Sequence, residues 1–133
     1  LQAGLLRVRL SYLGELGKKR MKVCSRYLEE IRNEKIILPK LREGAGHVWH
    51  QFVIRTGQRG ELMDYLESCG IETVIHYPVP PHLSEAYRYL GLGKGSLPIT
   101  ERYADEVLSL PLYDGMTQEE QEYVIDVINH WQN

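Results

Sequence analysis

The chain has 133 residues, 43% apolar and 26% charged, which are the proportions of one globular unit with its own core. Sixteen basic against 18 acidic residues leave a net charge of -2, so no general attraction to nucleic acid or to an anionic membrane is expected. No apolar run approaches the roughly 20 residues needed to cross a bilayer, and no signal peptide is visible. Cys24 and Cys69 lack metal-ligand spacing and read as two buried free thiols in a reducing compartment, with the cytoplasm as the expected location and no metal site expected.

Leu1-Gln2-Ala3-Gly4-Leu5-Leu6 opens inside an amphipathic pattern with no cap residue before it, as expected of a chain cut from something longer. Residues 1–33 read as helix: Leu6, Leu10 and Leu13 share a face, and Met21, Cys24, Leu28 and Ile31 continue at helical spacing. Gly14 and Gly17 each cost about 1 kcal/mol relative to alanine, so a kink or a break is expected there. Ile36-Ile37-Leu38 reads as a short strand ended by Pro39, and 40–46 as a polar loop. Val48 to Arg55 alternates, with Val48, His50, Phe52 and Ile54 on one mostly apolar face. That places His50 toward the core. His47 and His50 then point to opposite sides and make no zinc pair.

Gln58 to Cys69 reads as a helix presenting Leu62, Tyr65 or Leu66, and Cys69, stopped by Gly70. Ile71 to Ile75 is a second strand, running into the proline-rich loop His76-Tyr77-Pro78-Val79-Pro80-Pro81-His82. Leu83 to Leu90 is a short helix. Gly91-Leu92-Gly93-Lys94-Gly95-Ser96 is a glycine loop without P-loop spacing, read as a surface loop in preference to a phosphate cradle. Pro98 suits a helix N1 position, with Ile99, Tyr103 and Val107 recurring at i+4 beside Ala104 and Leu108. Leu108-Ser109-Leu110-Pro111 is a third strand. Thr117-Gln118-Glu119-Glu120 is a capping box opening a last helix, with Gln121, Val124, Ile125, Ile128 and Trp131 inward. The expected class is α/β of an α+β kind: a small mixed or antiparallel sheet of three to four strands covered by helices, with a long N-terminal helix.

The proline loop is the best functional lead. Prolines lower the entropy lost when a loop meets a ligand, and neutral imidazole donates, accepts or takes a proton. His76 and His82 are therefore candidate site residues, against the alternative that His76 packs under the loop and His82 caps the next helix. Tyr77 can hydrogen-bond a ligand hydroxyl or stack on a ring. Arg55 and Arg59 can pair a phosphate or carboxylate, against plain surface solvation. His130 suits the dipole at a helix C-terminus and is assigned no chemistry.

Taken together, these segments resemble one family. Leu1 to Leu10 resembles the end of a "DELQAA-L-VKL" segment, and His47 to Arg55 an "H-WH-F-IR" strand. Gly70 to His82 resembles "GI-T-IHYP-P-H", and Leu97 to Glu101 and Val107 to Leu112 resemble "LP-TE" and "VLSLP". The motifs, in order and at the right spacings over nearly the whole chain, are similar to those of the DegT/DnrJ/EryC1/StrS aminotransferases. These pyridoxal-phosphate (PLP) enzymes act on keto sugars attached to nucleotides.

The resemblance implies that residues 1–133 are the small C-terminal domain of a fold-type-I aminotransferase, with the large PLP-binding domain absent. The Schiff-base lysine would lie in that missing domain, none of this chain's lysines would take its role, and no cofactor is expected on this piece alone. It implies glutamate and a sugar nucleotide as substrates, a homodimer in the complete protein, and a place in surface-polysaccharide (lipopolysaccharide) or antibiotic-sugar synthesis. It implies substrate-binding roles for His76, Tyr77, His82 and Arg55. The proline-rich spelling of the loop resembles members making 3-amino-3,6-dideoxy sugars on dTDP. The alternative is a non-catalytic α/β binding or interaction module derived from the same domain.

Overall fold

The computed structural model describes residues 1–132. Helix α1 runs without interruption from Gln2 to Glu30. The break expected at Gly14 and Gly17 does not occur. A glycine penalty of about 1 kcal/mol each is small beside the helix-forming residues around them. Nothing lies within 4 Å of the position a Cβ would take at either glycine, so neither marks a close approach.

Strand β1 (Phe52–Arg55) pairs antiparallel with β2 (Val107–Leu110), with Phe52 opposite Leu110 and Arg55 opposite Val107. Single bridges extend this ladder on both sides, Ile37 to Arg55 and Val74 to Ser109. The strands expected at 36–38 and 71–75 are thus each reduced to one paired residue, flanking a two-stranded centre. Helix α2 (Arg59–Ser68) buries Leu62 and Leu66 and stops at Gly70, whose φ of +73° few other residues adopt at low cost. The helix expected at 83–90 is instead two 3₁₀ turns, Pro81–Leu83 and Glu85–Leu90. Helix α3 (Pro98–Glu106) begins with Pro98 at its first turn and leads directly into β2.

Helix α4 (Gln118–His130) opens on the expected box: Thr117 Oγ1 accepts from the Glu120 amide at 3.2 Å, and Glu120 accepts from the Thr117 amide at 2.7 Å. Gln121, Val124, Ile125, Ile128 and Trp131 are all buried. They meet the C-terminal part of α1 (Val23, Cys24, Tyr27) and the inner sheet face (Phe52, Ile54, Leu108, Leu110) in one core. Tyr27 lies edge-on to Phe52 at 5.1 Å between centroids, and Trp49 stacks on Phe52 at 5.4 Å.

The alternation expected from Val48 fails before Phe52. Trp49 has a φ of +46° and is buried, whereas Val48 and His50 are exposed. The backbone groups that a strand would pair are used elsewhere. The Trp49 amide donates to His47 Nδ1, and Arg20 of α1 donates to the carbonyls of Trp49 and His50 at 3.1 Å. His50 is therefore not a core histidine. The N-terminal half of α1 stands clear of this body, with Leu5, Leu6, Leu10 and Leu13 exposed.

Candidate functional site

Alternation along the ladder sends Phe52 and Ile54 inward and turns Val53 and Arg55 to the other face. Their partners Ser109 and Val107 share that face, with Ile37 and Val74 at its two edges. Helix α3 and the proline loop lie over it. Between them runs a groove of about 300 Å³, with His76, Tyr77, Pro80 and Pro81 on one wall and Ile99, Tyr103 and Val107 on the other. A second groove, of about 570 Å³, lies alongside, lined by Ile37, Pro39, Lys40, Val53 and Arg55, and shares Tyr103 and Val107 with the first.

Of the residues singled out from the sequence, His76, Tyr77 and Arg55 meet at these grooves. His76 is half-buried, and its Nδ1 lies 2.9 Å from Ser109 Oγ, which leaves Nε2 as the nitrogen available to a ligand. Tyr77 is 72% exposed, its ring edge-on to that of His76 at 5.6 Å. The Arg55 guanidinium lies over the Tyr103 ring at 4.1 Å, and its Nη1 is 3.3 Å from Glu106 Oε2. A cation over an aromatic face contributes about 0.5–1 kcal/mol at a partly exposed site, so the stack sets the direction of the guanidinium. Arg59 donates to the Ala104 carbonyl near the C-terminus of α3 and so holds that helix.

His82 is placed differently. It is 5% exposed, beneath the loop, and its Nε2 meets Glu101 at 3.0 Å. The structure gives it a partner inside the chain. The sequence shows Tyr103 only as a helix-face residue and Ser109 only as part of a strand, yet one lines both grooves and the other holds His76. The i+4 spacing of Ile99 and Tyr103 records a shared face without saying which side it meets, and both are exposed. No group of three or more metal-ligating side chains occurs among the described residues, and no described helix is long and apolar enough to cross a membrane.

Residues 1–129 match the model of the DegT/DnrJ/EryC1/StrS aminotransferase family. The chain belongs to this family. A relative within it, the dTDP-3-amino-3,6-dideoxy-alpha-D-galactopyranose transaminase of Aneurinibacillus thermoaerophilus, is 40% identical over 98% of the chain and 36% of the relative. Among solved structures, Streptomyces venezuelae DesV in complex with a ketimine intermediate superposes with a TM-score of 0.93 at 39% identity, over 98% of this chain and 35% of that one. The Bacillus subtilis NtdA structure with bound cofactor PMP gives 0.71 at 33% identity, over 84% of this chain and 27% of that one. The chain thus spans about a third of the length of these relatives. The family's cofactor chemistry needs a lysine facing an enclosed site. In this chain every lysine is exposed, and the groove lined by His76 and Tyr77 holds neither a lysine nor a carboxylate. That groove therefore offers no lysine to anchor PLP, and Lys40 stands on the groove beside it.

Proposed function

We propose that this chain is the C-terminal part of a PLP-dependent aminotransferase that moves an amino group from glutamate to a keto-sugar nucleotide, a dTDP-keto-6-deoxyhexose. The match to a dTDP-sugar transaminase over almost the entire chain carries this reading. The complete enzyme would work as a cytoplasmic homodimer supplying amino sugars for surface polysaccharide or antibiotic synthesis. PLP would be anchored outside these residues, and this chain alone would not transaminate.

Its own part is to form a wall on the sugar-nucleotide side. His76, oriented through Ser109, offers Nε2 to a sugar hydroxyl, and Tyr77 offers a phenol and a ring face at the rim. Arg55, half neutralised by Glu106, retains guanidinium donors for a phosphate oxygen. The prolines hold this wall in shape before the ligand arrives, which lowers the ordering cost of binding.

The test uses the complete protein containing this sequence, loaded with PLP and assayed for glutamate-dependent amination of dTDP-3-keto-6-deoxyhexose. His76→Ala is expected to lower kcat/KM by about tenfold or more, the loss of one well-placed hydrogen bond to a substrate, with PLP content unchanged. Unchanged turnover would remove His76 from the site. A PLP-loaded protein that aminates no keto-sugar nucleotide would sink the substrate class. A specific lysine adduct trapped by borohydride on the 133-residue chain alone would overturn the placement of PLP elsewhere.

A further inference from the structure

The loop that carries His76 and Tyr77 is held at two points. One is the bond from His76 to Ser109 on β2. The other is His82, buried at the far end of the same loop and bonded to Glu101 in the first turn of α3. Glu101 has more partners than His82. Its Oε1 and Oε2 accept from the Gly95 amide at 2.9 and 2.7 Å, and Oε1 accepts from the Leu97 amide at 3.1 Å. The glycine loop thus resembles the nests of backbone amides that bind free anions, but its amides are already occupied by a carboxylate from the same chain. Gly95, at a φ of +91°, turns its amide toward that carboxylate. The Glu101 side chain is 13% exposed.

We propose that Glu101 is the positioning residue of the ring-bearing wall: by clasping His82 and the 95–97 amides together it fixes where the loop 76–82 sits against α3. Glu101 takes the place an external anion would hold and converts the glycine loop from a binding element into a structural one. The amides of Gly95, first, and of Leu97, together with His82, hold its carboxyl below the ordinary carboxylate range, so it accepts from every partner. His82 Nε2 must then be the donor. Its Nδ1 is buried and has no partner among the described residues, so Glu101 is the polar group that holds the ring. The glutamate thereby fixes which ring nitrogen faces α3 as well as the position.

Substrate enters this inference only in its last step, which rests on the proposed function; the clasp itself is tested without substrate. In the unaltered chain, long-range proton–nitrogen spectra are expected to show the His82 proton on Nε2. An Nε2 that carries no proton would overturn the clasp. In Glu101→Ala, amide exchange over 76–83 and 93–97 is expected to quicken by about tenfold or more, while β1 and β2 keep their protection. Acetate, which replaces the deleted carboxylate, should restore slow exchange, and chloride at equal ionic strength should not. His82→Gln, which keeps a donor at the same reach, should retain more protection than His82→Phe. Unchanged exchange in Glu101→Ala, or loss throughout the fold that acetate does not relieve, would overturn the proposal. In the complete enzyme, Glu101→Ala should raise KM for the sugar nucleotide more than it lowers kcat, with partial recovery in acetate. A clasp present in the exchange data without this split would leave the positioning intact and refute the substrate-side reading.

Discussion

Phe52, the chain's one phenylalanine, is fully buried where α1, β1 and the Trp49 turn meet, so replacing it probes all three junctions at once. Phe52→Ala removes the ring and leaves a cavity between Tyr27 and Trp49, a change that costs about 3–5 kcal/mol in well-packed cores. Phe52→Leu keeps most of the volume and loses the two ring contacts, at about 0.5–1.5 kcal/mol each, for a total of about 2 kcal/mol. With a urea dependence of about 2 kcal/mol/M, the midpoints should fall by about 2 M and about 1 M respectively. The chain's two tryptophans, Trp49 and Trp131, are 2% and 4% exposed, so their emission shifts to the red on unfolding and reports the transition directly. A midpoint for Phe52→Leu within about 0.3 M of the unaltered chain would refute the aromatic cluster as the joint between helix and sheet.

Thr117→Ala should cost about 1 kcal/mol through loss of the cap on α4, read as a urea midpoint lower by about 0.5 M. Cys24 is fully buried as expected, and burial pushes its thiol up to about 12, whereas Cys69, expected to be buried too, is partly exposed at the end of α2. Iodoacetamide at pH 8 should therefore label Cys69 first and reach Cys24 only in urea; equal rates would contradict the packing of α1. The acid response follows from three glutamates held below the ordinary value of 4.5: Glu30 by Arg26, Glu120 by the Thr117 amide, and Glu101 by the Gly95 amide. A carboxyl with a depressed folded value contributes stability that is present above 4.5 and lost as pH falls through the lower value. Urea midpoints should drop below pH 4.5, and Glu120→Gln should flatten part of that fall.

Where local chemistry decides structure, the sequence was readable. The Thr117–Glu120 box, the inward face of α4 and Pro98 at the start of α3 all stand where the residues place them, because caps and a 3.6-residue period need no distant partner. The turn at Trp49 was hidden because its cause is Arg20, some thirty positions earlier, whose guanidinium takes the carbonyls a strand would have used. The same applies to the site. The prolines around His76 and Tyr77 single out the wall of the groove on which they stand, whereas Tyr103 and Ser109 carry no such mark until the register pairs Val53 with Ser109 and the groove brings Tyr103 beside them. His82 resembled a ligand group because spacing cannot show that Glu101 lies 3.0 Å away.

Arg20 has another consequence. Its Nη1 also reaches the Leu112 carbonyl, at 3.5 Å, so one guanidinium fastens α1 to two separate loops at the point where the helix leaves the body. From there to Gln2 the helix extends about 27 Å at 1.5 Å per residue. A rotation of about 10° about Arg20 carries Gln2 through about 5 Å, so whatever meets the first turns of α1 acts on that guanidinium over a long arm. Small repacking around Arg20 would then be delivered as a large displacement at Leu5 and Leu6, and any load applied to those leucines would return, with mechanical advantage, to the carbonyls beside Trp49.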